Sequence, residues 1–488
     1  MLNLLLCSIP SLELFLPPHA PAALKGHLAG HNLTCKTIDL NLLMYNVRQE
    51  AFQELNSYFS DRAFTVTDEI RDDHEYVLTA WVEEINKEEF EWLGISVFTE
   101  DSQQATLDIC NRLKDRNFKI VVGGMGLNIA KGEVFGENFG HELLRRGLVD
   151  AAVFGEGEHA LTHLLQGNLD YPGIYTKEGG IPSEQITNLD ELGFADYTDY
   201  RLNQYTGFYN EPLVQITGSR GCVRSCTFCD IADMWPKYKF RSGDNIAEEI
   251  IATYERYQIR NFYFTDSLIN GSMSAYMKMC ESLANYNATH KEANLKWGGQ
   301  YIVRSERQCP KDYFSLTAAS GAFNLAIGVE TGSDAVRDHM RKKFSNVDLD
   351  FTMENFAKHR ITCSYLILIG YPTETEEDFY ETLRMFKRHQ KYAAQGIILG
   401  LSLGQTMFAL NNSPIRDILG EDITFKKKNF SPSWILKSNP ELDYHTRVQR
   451  RLQAEVVADY YGYNLISSDR NFAKMLREYE EFTDVYSE

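Results

Sequence analysis

Short apolar runs alternate with amphipathic stretches through the first third of the chain. Five such runs predict strands at Leu2–Ile9, Cys35–Leu40, Leu93–Phe98, Lys119–Gly124 and Asp150–Phe154. Apolar residues recur at helical spacing between them, which predicts helices over Pro21–His31, Ser102–Asn117 and Gly132–Gly147. Strands without polar alternation that are separated by helices indicate a parallel sheet covered on both faces. Residues 41–90 interrupt this alternation, and we interpret them as an insertion of one or more helices.

A second alternation begins near Leu213. Its predicted strands are Leu213–Thr217, Asn261–Thr265, Lys296–Val303, Asn324–Val329, Thr362–Ile369 and Gly396–Leu403. The predicted helices between them are Asn245–Gln258, Ser272–Ala284, Asp312–Ala319, Leu349–His359 and Glu376–Tyr392. A complete barrel of this type has about eight such units. Six units therefore predict an open or partial barrel.

These patterns predict an α/β protein with a Rossmann-like parallel sheet and a partial (β/α)6 barrel. The sheet occupies residues 1–167 and the barrel residues 213–411. Residues 168–212 are irregular and rich in Gly, Pro, Tyr and Asp, which is typical of a linker. Residues 412–488 form a small mixed extension, whose Lys426-Lys427-Lys428 triplet we interpret as a solvated face.

Composition and charge narrow the class of protein. The chain has 488 residues and a formal net charge of −19, so it is a poor binder of nucleic acid or anionic membranes. No apolar run reaches the roughly 18 residues of a membrane span, and no targeting segment is evident. Nine cysteines, an odd number, do not form a disulfide framework. We therefore expect a cytoplasmic enzyme.

The sharpest chemical signal is a group of three cysteines directly after the first strand of the second alternation. Cys222, Cys226 and Cys229 are spaced Cys-x3-Cys-x2-Cys. Ligands bind at the carboxyl ends of strands in α/β folds. Thiolates at this spacing are typical of an iron–sulfur cluster, which usually takes four ligands. The next cysteine, Cys280, lies far along the chain, so one iron would stay open to a substrate or cofactor.

Two other interpretations of the three cysteines stay open. They are three unrelated core cysteines or the ligands of a structural zinc ion. Structural zinc sites are usually closed by four protein ligands, and no fourth ligand is evident here. The spacing and the position favour the open cluster.

The loop Cys222-Val223-Arg224-Ser225-Cys226-Thr227-Phe228-Cys229 resembles the signature of the radical S-adenosylmethionine (radical SAM) superfamily. The resemblance continues in order along the barrel and spans most of the chain. Its further segments are Asn261–Ser267, the Gly-Val-Glu-Thr-Gly-Ser run at 328–333, and the Gly-Tyr-Pro-Thr-Glu-Thr turn at 370–375.

The resemblance implies a [4Fe-4S] cluster on the three cysteines and SAM on its open iron. Phe228 and Gly370 would lie by the adenine, and Glu330 near the ribose. A carboxylate accepts hydrogen bonds from both ribose hydroxyls. Asp266 would face the SAM ammonium group and Arg304 its carboxylate. A solvated or salt-bridged carboxylate stays open for Glu330 and Asp266, and a surface ion pair for Arg304.

Glycine-rich turns also close two strands of the first sheet. Gly123, Gly124 and Gly126 follow one strand, and Gly155, Glu156 and Gly157 follow the next. Small residues there leave a hollow at the sheet edge that suits a flat or phosphate-bearing cofactor, although tight turns are the plain alternative. No Gly-x-Gly-x-x-Gly follows the first strand, so this is not a dinucleotide fingerprint.

With a radical SAM domain behind it, this half resembles the cobalamin-binding domain of one radical SAM subgroup. The resemblance includes Pro17-Pro18, Thr37–Asn41, Gly94-Ile95-Ser96 and both glycine turns, and it implies cobalamin at Ser96 and at those turns. The Asp-x-His-x-x-Gly motif is absent, and Met125 and Gly126 stand where a Pro-His pair is common. Cobalamin would then lack a protein imidazole, and a vestigial domain is the alternative. His19 is the only histidine of the first βα loop.

The resemblance thus implies a cobalamin-dependent radical SAM enzyme that methylates an unactivated carbon of a small molecule or natural product. SAM would be cleaved reductively to a 5′-deoxyadenosyl radical, with electrons from flavodoxin or ferredoxin. A locally basic rim could meet an acidic donor or an anionic substrate; it comprises Arg220, Arg224, Lys237, Lys239 and Arg241. Two alternatives are a non-methylating radical reaction, and a non-catalytic iron–sulfur sensor or scaffold. Substrate identity and oligomeric state are not predicted.

Overall fold

The computed structural model of the chain describes residues 1–10, 14–60, 66–128, 138–207, 211–404, 413–425 and 433–466. The start of the helix predicted at Gly132 and the lysine triplet at 426–428 lie outside these ranges. Within them, no helix is both long and apolar enough to cross a membrane.

A seven-stranded sheet carries the first part of the fold, in the order β2-β1-β3-β4-β5-β6-β7. The strands β1 to β5 run parallel, whereas β6 and β7 are added antiparallel. The strands are β1 Leu2–Ser8, β2 Cys35–Asp39, β3 Phe90–Ser96, β4 Lys119–Gly123, β5 Ala151–Val153, β6 Ile174–Thr176 and β7 Gly179–Gly180. The last two lie in the predicted linker, which therefore extends the sheet.

The helices around this sheet bury apolar side chains on both of its faces. This was predicted, because the strands show no alternation of polar and apolar residues. Several of these helices begin at side-chain caps: Asp39 accepts hydrogen bonds from the amides of Asn41 and Leu42, and Thr67 from that of Ile70. The helices are α1 His19–Ala29, α2 Leu40–Val47, α3 Phe52–Ser60, α4 Asp68–Ile85, α5 Gln103–Arg112, α6 Phe139–Arg145 and α7 Gly157–Leu165. Helices α2 to α4 form the predicted insertion.

The strand order reverses between β1 and β3. Ser8 at the end of β1 is in register with Ser96 at the end of β3, which is in turn in register with Gly123 of β4. In open α/β sheets, ligands bind outside the carboxyl ends of strands at such a switch point. The glycine turn after β4 therefore lies beside the position where the topology favours a cofactor.

A six-stranded sheet carries the second part, with strands in the order in which they occur, β8-β11-β12-β13-β14-β15. The pairs from β12 to β15 are parallel. The strands are β8 Leu213–Ile216, β11 Asn261–Phe264, β12 Lys296–Tyr301, β13 Ala322–Glu330, β14 Cys363–Ile367 and β15 Ile398–Leu403. All six were predicted within a few residues. The sequential order is that of a partial barrel.

Helices connect these strands and continue into the extension. Capping boxes start two of them, Ser345 with Asp348 and Thr375 with Asp378. The helices are α8 Ile231–Met234, α9 Gly243–Tyr257, α10 Met273–Thr289, α11 Tyr313–Ala319, α12 Asp334–His339, α13 Asn346–His359, α14 Glu376–Ala394, α15 Pro414–Leu419 and α16 Tyr444–Tyr460.

Two short antiparallel hairpins complete the fold. The first pairs β9 Ser219–Arg220 with β10 Lys239–Phe240, and the second pairs β16 Ile423–Phe425 with β17 Trp434–Leu436. The chain after α16 returns to the edge of the barrel sheet, where Leu465 forms a parallel bridge with Leu401. That pairing covers an otherwise open strand edge.

The chain divides into two compact units. The first comprises residues 1–216 and 248–262, and the second residues 217–247 and 263–488. The residue boundaries of the domains stay a prediction from the sequence.

Candidate active site

The cysteine loop is held at a closed neck. Residues on its two sides pair in the antiparallel hairpin, Arg220 with Lys239 and Ser219 with Phe240. Gly221 has a φ of 84°, and a Cβ there would lie 2.9 Å from the carbonyl oxygen of Lys237. A glycine is therefore required where the loop leaves the hairpin. The sequence patterns missed this hairpin because its strands have only two residues each.

The three thiols lie near one another, and each is partly exposed and free of disulfides. The pKa of Cys226 is raised to about 11, mainly by burial; the charge of Lys342 lowers this pKa, and the neighbouring Cys222, Glu330 and Cys229 raise it. Burial also raises the pKa of Cys229, against a hydrogen bond from the amide of Ile231. Neutral thiols at rest become thiolates when they coordinate a metal.

The donor set fits a cluster with an open iron. Three thiols come from one loop, and the amide of Arg224 donates to the Cys222 sulfur at 3.4 Å. Of the remaining cysteines, Cys7, Cys110, Cys280 and Cys363 are buried. Among the described residues, no three His, Cys, Asp or Glu side chains lie close enough together to bind a single metal ion. In a cluster each thiolate binds a different iron, so its ligands do not need that arrangement.

Asp266 braces the entrance of the cysteine loop. It is buried, its Oδ1 accepts a hydrogen bond from the Gly218 amide at 2.8 Å, and its Oδ2 accepts one from the Ser219 hydroxyl at 2.5 Å. Burial raises its pKa to about 7, against those two donors and the charge of Arg241. The observed contacts are those of a structural carboxylate, and contact with a SAM ammonium stays a prediction.

Glu330 ends the strand β13 in a left-handed conformation, with φ at 64°. The pairing register between β13 and β14 shifts between Gly328 and Glu330, which is the mark of a bulge. Its Oε1 accepts a hydrogen bond from Lys342 Nζ at 2.9 Å, the single hydrogen bond of that carboxylate within the described residues. A non-glycine residue at positive φ is uncommon and clusters at functional sites.

Arg304 presents an unused donor beside the cysteine loop. Its terminal nitrogen donates to the carbonyls of Asn270 and Gly271, at 2.5 and 2.9 Å. Its Nε is buried without a hydrogen-bond partner in the described part of the chain. A free guanidinium donor of this kind suits a carboxylate ligand.

The other two predicted SAM residues lie in apolar surroundings. Phe228 packs against the cluster that contains Met340 and Tyr371. Gly370 has a φ of 79°, and a Cβ there would lie 2.4 Å from the side chain of Arg447 on α16. The close approach at this glycine is therefore made by the C-terminal helix, and contact with adenine stays a prediction.

The glycine turn after β4 packs tightly on the loop after β3. A Cβ on Gly124, whose φ is 115°, would lie 2.4 Å from the Val97 carbonyl oxygen, and one on Gly126 would lie 2.3 Å from that of Thr99. Beside them Phe98 and Met125 expose 56% and 36% of their surface. An exposed apolar shelf at a switch point fits a flat ligand.

The second glycine turn has protein neighbours. A Cβ on Gly155, whose φ is 77°, would meet Ser183 at 2.6 Å, and one on Gly157 would meet Leu24 at 3.3 Å. The Glu156 carboxylate accepts a hydrogen bond from the amide of Ile186. These contacts are those of a packed turn, and a role in cobalamin binding stays a prediction.

His19, the histidine of the first βα loop, is held by another side chain. Its Nδ1 lies 2.8 Å from the hydroxyl of Tyr197. That contact occupies one ring nitrogen, consistent with an imidazole that serves the packing of this loop.

The predicted basic rim is smaller than the sequence suggested. Arg241 is buried, and its guanidinium donates to the carbonyl of Thr217 at 3.0 Å and to the side chain of Asn245 at 2.6 Å. Arg241 therefore stabilises the backbone at the start of the cysteine loop and does not form part of an exposed basic rim.

Lys342 was not identified from the sequence, because no motif contains it. This lysine lies beside Glu330 through contacts between segments that are distant in the sequence.

Comparisons with known proteins cover the part of the chain that contains the cysteine loop. Residues 216–386 match the sequence model of the radical SAM superfamily. The chain is 27% identical over 249 residues to hopanoid C-3 methylase of Methylococcus capsulatus, covering 49% of this chain and 46% of the relative. It is 25% identical over 182 residues to cytidylyl-2-hydroxyethylphosphonate methyltransferase of Streptomyces wedmorensis, covering 35% and 32%. The chain thus spans less than half the length of these two curated relatives.

Two solved structures share the fold. The radical SAM methyltransferase TsrM from Kitasatospora setae, with cobalamin and a [4Fe-4S] cluster bound, has a TM-score of 0.64 at 14% identity, over 96% of this chain and 92% of its own. The cobalamin-dependent SAM radical enzyme OxsB, with aqua-cobalamin and SAM bound, has a TM-score of 0.66 at 14% identity, over 99% and 71%. The protein therefore carries a radical SAM domain over residues 216–386, in a fold shared with cobalamin-dependent radical SAM enzymes.

Proposed function

We propose that the protein is a cobalamin-dependent radical SAM enzyme that methylates an unactivated carbon of a small-molecule or natural-product substrate. The main support for this proposal is the cysteine loop, which a short hairpin holds at the carboxyl end of the first barrel strand. Cys222, Cys226 and Cys229 would hold a [4Fe-4S] cluster and leave one iron open. When bound, such a cluster supplies the electron that cleaves SAM to a 5′-deoxyadenosyl radical.

The protein side chains position SAM against that iron. The free Nε of Arg304 would bind the SAM carboxylate, and Glu330 would accept hydrogen bonds from the ribose. Asp266 accepts hydrogen bonds from the Gly218 amide and the Ser219 hydroxyl at the entrance of the loop. Phe228 would cover one face of the adenine.

Cobalamin would lie at the switch point of the first sheet. Ser96, Gly123, Gly124 and Gly126 border that edge, beside the exposed Phe98 and Met125. When bound, cobalamin supplies a methyl group for transfer. The support is the shared fold and the exposed apolar shelf. Binding by Gly155, Glu156 and Gly157 is the weaker part, because these residues already have protein neighbours.

A non-methylating radical reaction is the second candidate. It is favoured by the anaerobic magnesium-protoporphyrin IX monomethyl ester cyclase of Cereibacter sphaeroides, 21% identical over 252 residues, covering 49% of this chain and 40% of that relative. A cyclase among the relatives means that sequence similarity alone does not decide between methylation and another outcome. Product mass spectrometry with candidate metabolites separates the two.

The test is anaerobic reconstitution followed by assay of 5′-deoxyadenosine. Cys226→Ala is expected to lose the cluster absorbance and deoxyadenosine formation, because one of three ligands is removed. Cys309→Ala, a half-exposed cysteine outside the loop, is the matched control and is expected to keep both. Deoxyadenosine formation by Cys226→Ala at the wild-type rate would contradict the proposal.

The cobalamin part has its own test. Hydroxocobalamin is added to the reconstituted protein, and the cobalt absorbance is read after gel filtration. We expect one cobalamin per chain. A protein that cleaves SAM but retains no cobalamin would point to the vestigial-domain alternative.

A further inference from the structure

Lys342 places a charged group between two predicted parts of the site. Its Nζ lies 2.9 Å from Glu330 Oε1 and 5.9 Å from the ring centre of Phe228, which stands between Cys226 and Cys229 in the loop. The Lys342 and Glu330 side chains each expose only 13% of their surface. The carboxylate at the end of β13 therefore meets the cysteine loop through one ammonium group.

The backbone fixes this position. The amide of Thr227, the residue after Cys226, donates to the carbonyl of Met340 at 3.1 Å, and its hydroxyl donates to that of His339 at 3.3 Å. The amide of Lys342 donates to the carbonyl of Arg337 at 3.0 Å. The turn that carries Lys342 is thus tied directly to the loop that carries the cysteines.

Arg337 anchors the same turn from inside the fold. Its guanidinium is buried and donates to the carbonyls of Thr331 and Gly332, at 3.0 and 3.3 Å. These two residues directly follow Glu330. These hydrogen bonds connect the strand end to the lysine turn, and Lys342, whose side chain exposes only 13% of its surface, has less rotamer freedom than a surface lysine.

Gly328 leaves the space for this ion pair. A Cβ at that position would lie 2.6 Å from Glu330 Oε1 and 2.8 Å from Lys342 Nζ. Both of those atoms are the far ends of flexible side chains. A methyl group would displace the pair and leave the backbone of β13 in place.

We propose that Lys342 is a positioning residue that orients Glu330 and raises the reduction potential of the metal cluster on the cysteine loop. The inference rests on the proposed function. Potentials of iron–sulfur clusters depend on net charge and on hydrogen bonds near the sulfurs. A fixed positive charge favours the reduced cluster, which carries one more electron. Lys342 also donates to Oε1 of Glu330, which leaves Oε2 without a hydrogen bond from the described residues and available to a ligand.

The first experiment measures the midpoint potential of the reconstituted cluster by EPR-monitored redox titration. Lys342→Met is expected to lower the potential, and Lys342→Arg to restore most of it, since the charge is kept. Lys343→Met changes the exposed neighbouring lysine and is the matched control. It is expected to keep the wild-type potential, because an exposed charge is screened by water and salt.

The second experiment measures SAM binding to the same proteins by equilibrium dialysis. The SAM dissociation constant of Lys342→Met is expected to rise about tenfold, because Glu330 loses its charged partner. Gly328→Ala keeps both charges but displaces them, and it is expected to change the potential and SAM binding in the same directions.

A wild-type potential and wild-type SAM affinity in Lys342→Met would overturn the inference. If Lys342→Met does not retain a cluster, Gly328→Ala decides by the same two measurements, and wild-type values there overturn it as well. If the cluster of the wild-type protein shows no change in its EPR spectrum when SAM is added, the proposed function itself is contradicted. The two failures are therefore distinguishable.

Discussion

Asp266 is a buried carboxyl group whose two oxygens serve two donors of the cysteine-loop neck. Burial raises its pKa from 3.8 to about 7, so the folded protein binds a proton here that the unfolded chain releases at lower pH. A raised carboxyl pKa contributes stability that is present below the unfolded value and is lost as pH rises through the folded value. The window for this residue is therefore about pH 4 to 7.

This behaviour gives a prediction for Asp266→Asn. At pH 5 the wild-type carboxyl is neutral, so it and the amide each offer one accepting oxygen and one donating group, and the two proteins are expected to have similar stability. Towards pH 8 the variant is expected to become the more stable of the two, because only the wild type bears the cost of a buried charge. Urea unfolding of the metal-free protein at both pH values measures the difference. A gap that stays constant would mean that Asp266 does not titrate in this range.

At the residue scale, spacing predicted the cysteines, and the family resemblance predicted Glu330 and Arg304, both of which lie at or just after the ends of barrel strands. Neither could find Lys342. That lysine reaches Glu330 and the loop through hydrogen bonds between residues 227 and 340, which no local pattern encodes. Spacing also counted Arg241 as a rim residue, whereas its side chain folds back onto Thr217 and Asn245.

The turn after β4 is an element whose conformation requires glycine. Gly124 combines a φ of 115° with close backbone approach to Val97, and the amide of Gly126 donates to the Val97 carbonyl at 3.0 Å. Gly147 also has a positive φ, at 65°, but a Cβ there would have no atom within 4 Å. The two positions separate backbone strain from steric contact.

Gly124→Ala is expected to destabilise the protein by more than about 2 kcal/mol, because strain and backbone contact add. Gly147→Ala should cost about 1 kcal/mol, from the left-handed conformation alone. Chemical denaturation of both variants measures the difference. Equal losses would show that the approach of Gly124 to Val97 is unimportant for stability.

At the element scale, the long strands were predictable because each is a continuous apolar run covered by helices. The strands that the patterns missed are short. β9 and β10 have two residues each, and β6 has three. Runs of that length show no periodicity, and their pairing depends on the fold that brings them together.

The whole molecule is strongly acidic, yet the cysteine loop carries Arg220, Arg224, Lys237 and Lys239 in and beside its hairpin. Positive charge on an acidic protein would attract an acidic electron donor such as flavodoxin or ferredoxin. The rate of cluster reduction by flavodoxin is expected to fall as salt rises from about 0.01 to 0.5 M, because salt screens this attraction. Dithionite reduction is the control. A flavodoxin rate independent of salt would exclude electrostatic docking.

The function proposed for the whole molecule requires an open iron on the Cys222–Cys229 loop that binds SAM. An anaerobic titration of the reduced, reconstituted protein with SAM, followed by EPR, measures that binding. We predict that the cluster signal shifts and saturates at one SAM per chain. A cluster spectrum unchanged at saturating SAM would contradict the account and favour a redox sensor or scaffold.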